Sequence, residues 1–455
     1  MYKEREKSRK LRILNQGRSE INRILNPEDF NIAYGYSIEL YAQGLDIPIG
    51  MAFSEEGDLY IAESGSVSNN ARILRYQDGR FEIEAEGLAA PITGITYYEN
   101  GIYISHKGYL TLLKHNRPRV TILSGLPCGG DFSTSKVAIG PDGKLYFGQG
   151  AVTNAGVVGL DNQWVHNCPL LHDEPPFDIV LAGQNFKTNN VFSLGREIVE
   201  TGAFSSFGVT NIPAEIRKGV TKATGCILKV SRDGTEMEQV ATGLRNPVSI
   251  KFDKDFRLLA ANRGYDVRGS RPIANSPDEF YIINKGTWYG WPDYTAGEPL
   301  TLEKYKPEGQ RQPEFLLAYH PSVPPKPYVT FLPHSTISGF DINYQESFGA
   351  YGDVFIAETG SYGPITMGAE APYEGIGNKI SRINMKTREV STFINNKSGK
   401  KVYTTGGGGF GSPVDIAFGP DGVMYVLDIG ISDRRYLNQY IPNTGVIWRV
   451  VRTTN

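Results

Sequence analysis

The sequence predicts an all-β chain closed into a six-bladed β-propeller of four-stranded antiparallel blades, preceded by a short N-terminal arm that is either helical or disordered. Three observations predict it. One hairpin pattern recurs six times along the chain. Most copies are followed by two further strand-like runs, and one unclaimed strand near the N-terminus carries the junction that the last copy lacks.

The copies, in order, are IPIGMAFSEEGDLYIAESG from Ile47, PITGITYYENGIYISHKG from Pro91, STSKVAIGPDGKLYFGQG from Ser133, NPVSIKFDKDFRLLAANRG from Asn246, ISGFDINYQESFGAYGDVFIAETG from Ile337 and SPVDIAFGPDGVMYVLDIG from Ser412. Each joins a small-apolar alternating strand, a turn of Asp, Asn or Gly, and a second strand ending near glycine, which is the period-two pattern and turn chemistry of a β-hairpin. Third and fourth strands follow as ARILRYQDG with RFEIEAEGL, CILKVSRDG with EMEQVATGL, and KISRINMKTREVSTFI. The last copy has only TGVIWRVV after it. YSIELYAQGL, residues 36–45, shares the Gly-Leu junction of Gly87-Leu88, Gly125-Leu126 and Gly243-Leu244, so it is expected to complete the last blade and close the ring. Closure removes the sheet edges on which aggregation starts. The expected domains are therefore an arm, 1–30, and a propeller, 31–455, with insertions at 151–225, 265–336 and 361–378, and a further one at 430–444.

A formal charge of −2 gives no basic field for nucleic acid or an anionic membrane. No run of about 18 apolar residues predicts a transmembrane segment. The first 30 residues lack the apolar stretch of a secretory signal, so a cytoplasmic location is the default expectation, with a surface location by a non-classical route as the alternative. The arm holds eight basic and three acidic residues up to Arg23. It reads as a solvated arm or as a docking or self-association element. Cys128, Cys168 and Cys226 lack CxxC spacing, leaving free thiols or one bridge plus one thiol.

In a propeller the innermost strands flank the central channel, so the residues opening them ring its mouth. The repeats name Asp46, Ala89 with Ala90, Asp131 with Phe132, Arg245 with Asn246, His334 with Ser335, and Ser412. Convergent polar groups among apolar walls make this mouth the expected site. HNCPLLHDE, residues 166–174, carries donors of transition-metal type but in no standard spacing, and reads more simply as a polar loop.

GLRNPVSIKFD followed by NRGYDVRGSRPIANSPDEFYIINKGTWYGWPDY resembles the soluble pyrroloquinoline-quinone (PQQ) sugar dehydrogenases, the glucose and sorbosone dehydrogenase family, through Gly243–Pro247, the acidic pair Asp278 and Glu279, and Tyr289–Pro292. His334-Ser335 before ISGFD is similar to the His-Ser segment of the sorbosone branch. The resemblance implies PQQ-linked oxidation of a sugar alcohol or hemiacetal carbon, with a histidine taking the hydroxyl proton and calcium assisting the quinone. By position it implies that Arg245 and Asn246 contact cofactor and substrate. It implies that the calcium turn falls at Gly264 and Tyr265, while Asp46, Phe132, Ser335 and Ser412 are assigned to the pocket by their repeat positions.

The usual base position after Asp131 is Phe132, which accepts no proton. Losing a general base costs about two to four powers of ten in rate, so activity is doubtful in the family's own form. His334 and Asp131 are the residues to which catalysis would pass, although His334 reads more simply as a cap on its strand and Arg245 equally as a tie between blades. The expected small molecules are a sugar and the quinone. The alternative is a catalytically silent propeller that binds a ligand, a glycan or a protein.

Overall fold

The computed structural model describes residues 23–193, 197–360, 376–402, 406–433 and 439–453. Residues 1–22 of the expected arm and most of the insertion at 361–378 lie outside these.

Alternating strands that must bury both faces pair into six antiparallel sheets around an axis. Running outward from the axis, blade one is Pro48–Phe53, Leu59–Glu63, Ala71–Gln77 and Arg80–Leu88. Blade two is Ile92–Tyr98, Gly101–His106, Tyr109–Leu113 and Val120–Leu123. Blade three opens on the short Ala138–Ile139 and continues through Leu145–Gln149, Cys226–Val230 and Met237–Thr242. Blade four is Pro247–Phe252, Leu258–Asn262, Asp278–Ile283 and Val329–Phe331. The stretch 265–336 is therefore divided, since it contains the outer two strands of this blade.

Blade five is Ile337–Ile342, Val354–Glu358, Lys379–Ile383 and Val390–Asn396, and it gains a fifth strand, Phe30–Ile32, at its outer edge. Blade six is Pro413–Phe418, Met424–Asp428 and Gly445–Arg452, completed by Tyr36–Leu45. The register runs from Tyr36 opposite Arg452 to Leu45 opposite Gly445, so the expected closure of the ring by the N-terminal strand holds.

Second strands lie between neighbouring blades and are buried along their whole length, as in Leu59–Glu63, Val354–Glu358 and Met424–Asp428. Fourth strands are more exposed, as Arg80–Leu88 is, with only Leu88 buried. The core consequently sits between blades rather than within one layer. At the closing seam Phe30 packs edge-on against Trp448 at 5.0 Å and Phe410 at 4.6 Å. Arg23, its side chain 4% exposed, fixes the start of the described chain beside the same seam by an ion pair to Asp428 at 2.7 Å and bonds to the Thr444 and Gly409 carbonyls.

Near the axis the inner strands crowd. A Cβ on Gly94 would stand 2.4 Å from that of Lys136, so blades two and three require glycine there. Lys136 pairs with Asp415 at 2.8 Å across the channel, and Lys251 pairs with Asp341 further along.

Candidate functional site

One polar residue per blade, at the end of the second strand, fixes the ring around the mouth: Glu63, His106, Gln149, Asn262, Glu358 and Asp428. Five of them stand opposite the residue that opens the inner strand, in the registers Pro48–Glu63, Ile92–His106, Pro247–Asn262, Ile337–Glu358 and Pro413–Asp428, and Gln149 bridges to Thr134, four residues ahead of Ala138–Ile139. Glu63 accepts from the Asp46 amide at 2.7 Å, Asn262 from the Asn246 amide at 2.9 Å and Asp428 from the Ser412 amide at 2.9 Å. These acceptors satisfy backbone donors that would otherwise be buried unpaired. The sequence carries the signal, a polar residue one or two places before each closing glycine, but only its regularity reveals it.

A cavity of ≈ 360 Å³ occupies the mouth between blades three, four and five. Of the residues expected there, Asp131, Phe132, Arg245, Gly264, Tyr265 and His334 line it together. Asn246 lines the axial chamber beneath, which Asp131 and Phe132 also reach. Asp46, Ser335 and Ser412 line neither cavity. Ser335 and Ser412 are buried, and their backbone groups bond to Leu332 and Gly360, and to Asp428 and Ile429.

Asp161, Asp266 and Arg268, none singled out in the sequence, organise the cavity. Arg268 pairs with Asp131 at 2.6 Å, Asp161 at 2.6 Å and Asp266 at 3.3 Å. Arg245 pairs with Asp266 at 2.8 Å, donates to the Asn154 carbonyl at 2.9 Å and side chain at 2.7 Å, and also donates to the Gly264 carbonyl. Its guanidinium lies over the Phe132 ring, 4.4 Å from the centroid, with Tyr265 at 5.8 Å. Arg245 therefore ties blade four to the first insertion and also walls the cavity.

The first insertion reaches onto the mouth. Asn162 and Trp164 donate to Asp131 Oδ1 at 3.1 and 2.9 Å, so with Arg268 on Oδ2 both carboxylate oxygens of Asp131 are engaged. Asp266, its side chain 33% exposed, faces the cavity, with His334 Nδ1 3.6 Å from its Oδ1. Burial would raise the Asp266 carboxyl, but Arg245, His334 and Arg268 outweigh it and hold the group well below the usual carboxylate range.

The acidic pair of the sequence motif has a framing role. Asp278 accepts the Gly264 amide at 2.7 Å and the Ile337 amide at 2.9 Å, while Glu279 accepts from Asn262 at 2.7 Å and Thr295 at 3.1 Å. Within HNCPLLHDE, Asp173 is fully buried and accepts from the Val152 amide at 2.6 Å, Thr153 Oγ1 at 2.5 Å and Thr224 Oγ1 at 2.9 Å, anchoring the root of the first insertion.

Burial pushes the carboxyls of Asp161 and Asp173 up to about 6, the nearby Asp131 adding to the effect at Asp161. A carboxyl raised on folding binds its proton more tightly in the native state. Its stabilisation is complete below the unfolded value near 3.8 and is lost as pH rises through 6. Asp173→Asn is expected to reduce the fall in unfolding free energy between pH 4 and 6 by up to about 3 kcal/mol, measured by urea denaturation across that range. An unchanged slope would contradict the assignment.

No protein-family model matches the chain. Over 176 residues it is 26% identical to quinoprotein glucose dehydrogenase B of Acinetobacter calcoaceticus, a match covering 38% of this chain and 28% of that protein's length. Among solved structures, the PQQ domain of a pyranose dehydrogenase from Coprinopsis cinerea, in its holo form, superposes with a TM-score of 0.59 at 14% identity, covering 93% of this chain and 97% of that one. A Trichoderma reesei protein of carbohydrate-active enzymes family AA12 gives 0.57 at 15% identity, covering 95% and 99%. A putative oxidoreductase (glucose dehydrogenase) from Thermus thermophilus gives 0.53 at 18% identity, covering 92% and 100%. What these structures share with the chain is its propeller fold.

Proposed function

We propose that this chain, a six-bladed propeller resembling the soluble quinoprotein sugar dehydrogenases, binds a sugar or related polyol at its axial mouth. The observation that supports it is the lining of that cavity, where the Asp266 carboxylate, a guanidinium and an imidazole stand beside the Phe132 ring. Hydroxyl groups pair with such acceptors and donors while the C–H face of a sugar ring packs on an aromatic side chain.

The quinone and the calcium ion implied by the resemblance fit this donor set poorly. PQQ presents three carboxylates, yet Arg245 and Arg268 already hold carboxylates of the protein, which leaves Arg263 among the lining guanidinium groups. Calcium takes six to eight oxygen ligands. Here the Gly264 carbonyl accepts from Arg245, itself a cation, and the Gly264 and Tyr265 amides are bound to Asp278 and Ser276. Among the described residues no three His, Cys, Asp or Glu side chains converge in a way that could hold a metal ion.

A second reading, oxidation of the bound sugar, draws support from the approach of His334 to Asp266. A carboxylate at Nδ1 fixes the tautomer of an imidazole and makes it a better base. In that reading His334 takes the hydroxyl proton that Phe132 cannot, and the hydride from carbon goes to a separate two-electron acceptor, which the titration below supplies.

Titrating the protein with PQQ, with and without calcium, and then with aldoses and an artificial electron acceptor separates the two. The binding reading predicts saturable aldose binding, no stoichiometric quinone uptake and no acceptor reduction. Turnover that is lost in His334→Ala would establish oxidation and overturn the silent propeller.

A further inference from the structure

We propose that the mouth is built for an acidic sugar, its ring in the mouth cavity and its carboxylate passed beyond Phe132 onto Arg263 in the axial chamber; this rests on the sugar-binding reading and names its ligand class. The chamber, ≈ 300 Å³, lies directly beneath the mouth, and Asp131, Phe132 and Arg263 line both spaces. Asn246, Ser249, Lys136 and Asp415 are among the other polar residues of its wall, the last two paired with each other.

Arg263 follows the polar residue that closes blade four's second strand, a position held elsewhere by Ser64, Lys107, Gly150, Thr359 and Ile429. In blade five Thr359 Oγ1 donates to the Pro413 carbonyl at 2.7 Å, linking one blade to the opening residue of the next. Arg263 makes the same link through Nε to the Ile337 carbonyl at 2.8 Å and adds Nη2 to Ser338 Oγ at 2.6 Å. A threonine hydroxyl therefore suffices for the blade-to-blade tie, and a guanidinium with five N–H donors exceeds it.

Nη1 of Arg263 has no hydrogen-bond partner among the described residues, and no carboxylate among them lies within ion-pair distance of the group. Arg245, Arg268 and Arg271 each hold at least one. The positive charge of Lys136 is spent on Asp415 at 2.8 Å, and that of Arg268 on three aspartates. Among the described residues Arg263 is thus the cation lining both cavities with no carboxylate in ion-pair contact, Asp278 and Asp266 acting on it only from farther off.

A second observation points the same way. Ser249 lines the chamber, is 1% exposed, and its Oγ has no partner. A planar carboxylate meets a guanidinium through two parallel bonds and accepts a further hydroxyl on the side, which is the donor set that Arg263 and Ser249 present.

Calorimetric titration of the full chain with glucose, glucuronate and glucose 6-phosphate tests this. Glucuronate is expected to bind about tenfold or more tightly than glucose, the worth of one charge-assisted pair. Arg263→Gln should remove most of that preference and Arg263→Lys retain part of it. Glucuronate no tighter than glucose, or a preference that survives Arg263→Gln, overturns the proposal. Arg263-dependent binding of glucose 6-phosphate tighter than that of glucuronate overturns the carboxylate assignment in favour of phosphate.

Because Arg263 joins two blades, thermal unfolding of each variant accompanies the titrations. Should the variants fail to fold, competition on the wild-type chain decides: formate should weaken glucuronate binding and leave glucose binding unaffected, and an equal effect on both overturns the subsite. If glucose fails to bind while glucuronate binds in an Arg263-dependent way, the anion subsite stands and the broader sugar reading falls. If neither sugar binds, both fall.

Discussion

Arg268→Ala is expected to cost the fold about 3–5 kcal/mol, because it strips the shared cation from buried carboxylates and leaves their charge uncompensated. Arg268 is 7% exposed at its side chain, and Asp131 and Asp161 beside it are 10% and 2% exposed. The loss should appear as a lowered urea midpoint with little change in slope, since the same surface unfolds. The double variant Arg268→Ala with Asp161→Asn should recover part of the loss, because the second change removes one of the orphaned charges. The cavity wall that includes Asp131 and Asp266 should also fail, so aldose binding is expected to disappear in the single variant even at temperatures where it remains folded. A destabilisation below about 1 kcal/mol would mean that water reaches these groups and that the network is a surface one.

Deleting residues 1–45 is expected to abolish soluble folding altogether. The strand Tyr36–Leu45 covers the length of Gly445–Arg452 and brings buried Ile38, Ala42 and Leu45 to the cores on either side of blade six. Without it blade six ends on an exposed edge whose unpaired N–H and C=O groups recruit other chains. The Trp448 core would also lose Phe30, and Arg23 would no longer meet Asp428. Size-exclusion chromatography with circular dichroism reads the outcome as aggregate in place of the full chain's folded species. A truncated chain that elutes as the full chain does and keeps the wild-type melting temperature would show that the ring does not depend on this closure.

The hairpins were legible in the sequence because strand alternation and turn chemistry are local: the Pro-Asp-Gly turns at 141–143 and 420–422 and the paired runs around them need no distant partner. The closing strand was legible because its Gly-Leu junction repeats that of other blades. Phe30–Ile32 was not, since three residues carry no period and their place on blade five depends on a partner hundreds of residues away.

At the site, Asp131, Phe132, Arg245 and His334 could be placed at one mouth by repeat position alone. Asp161, Asp266 and Arg268 come from insertions that break the repeat, so no alignment of blades points to them. The repeat also named Asp46, Ser335 and Ser412, which share the register of the others but do not line the cavity; at Asp46 and Ser412 the backbone amide is pinned by the second-strand carboxylate. Repeat position thus predicts where a residue's backbone lies better than where its side chain is used.

The central claim is that ligands are met at the axial mouth, and a crystal structure of the chain soaked with glucose and with glucuronate tests it most directly. The account predicts sugar density against Phe132 within reach of Asp266 and His334, with the glucuronate carboxylate on Arg263. Density confined to the opposite end of the channel, between Phe53, Tyr97 and Phe252, with the mouth unchanged, would contradict it.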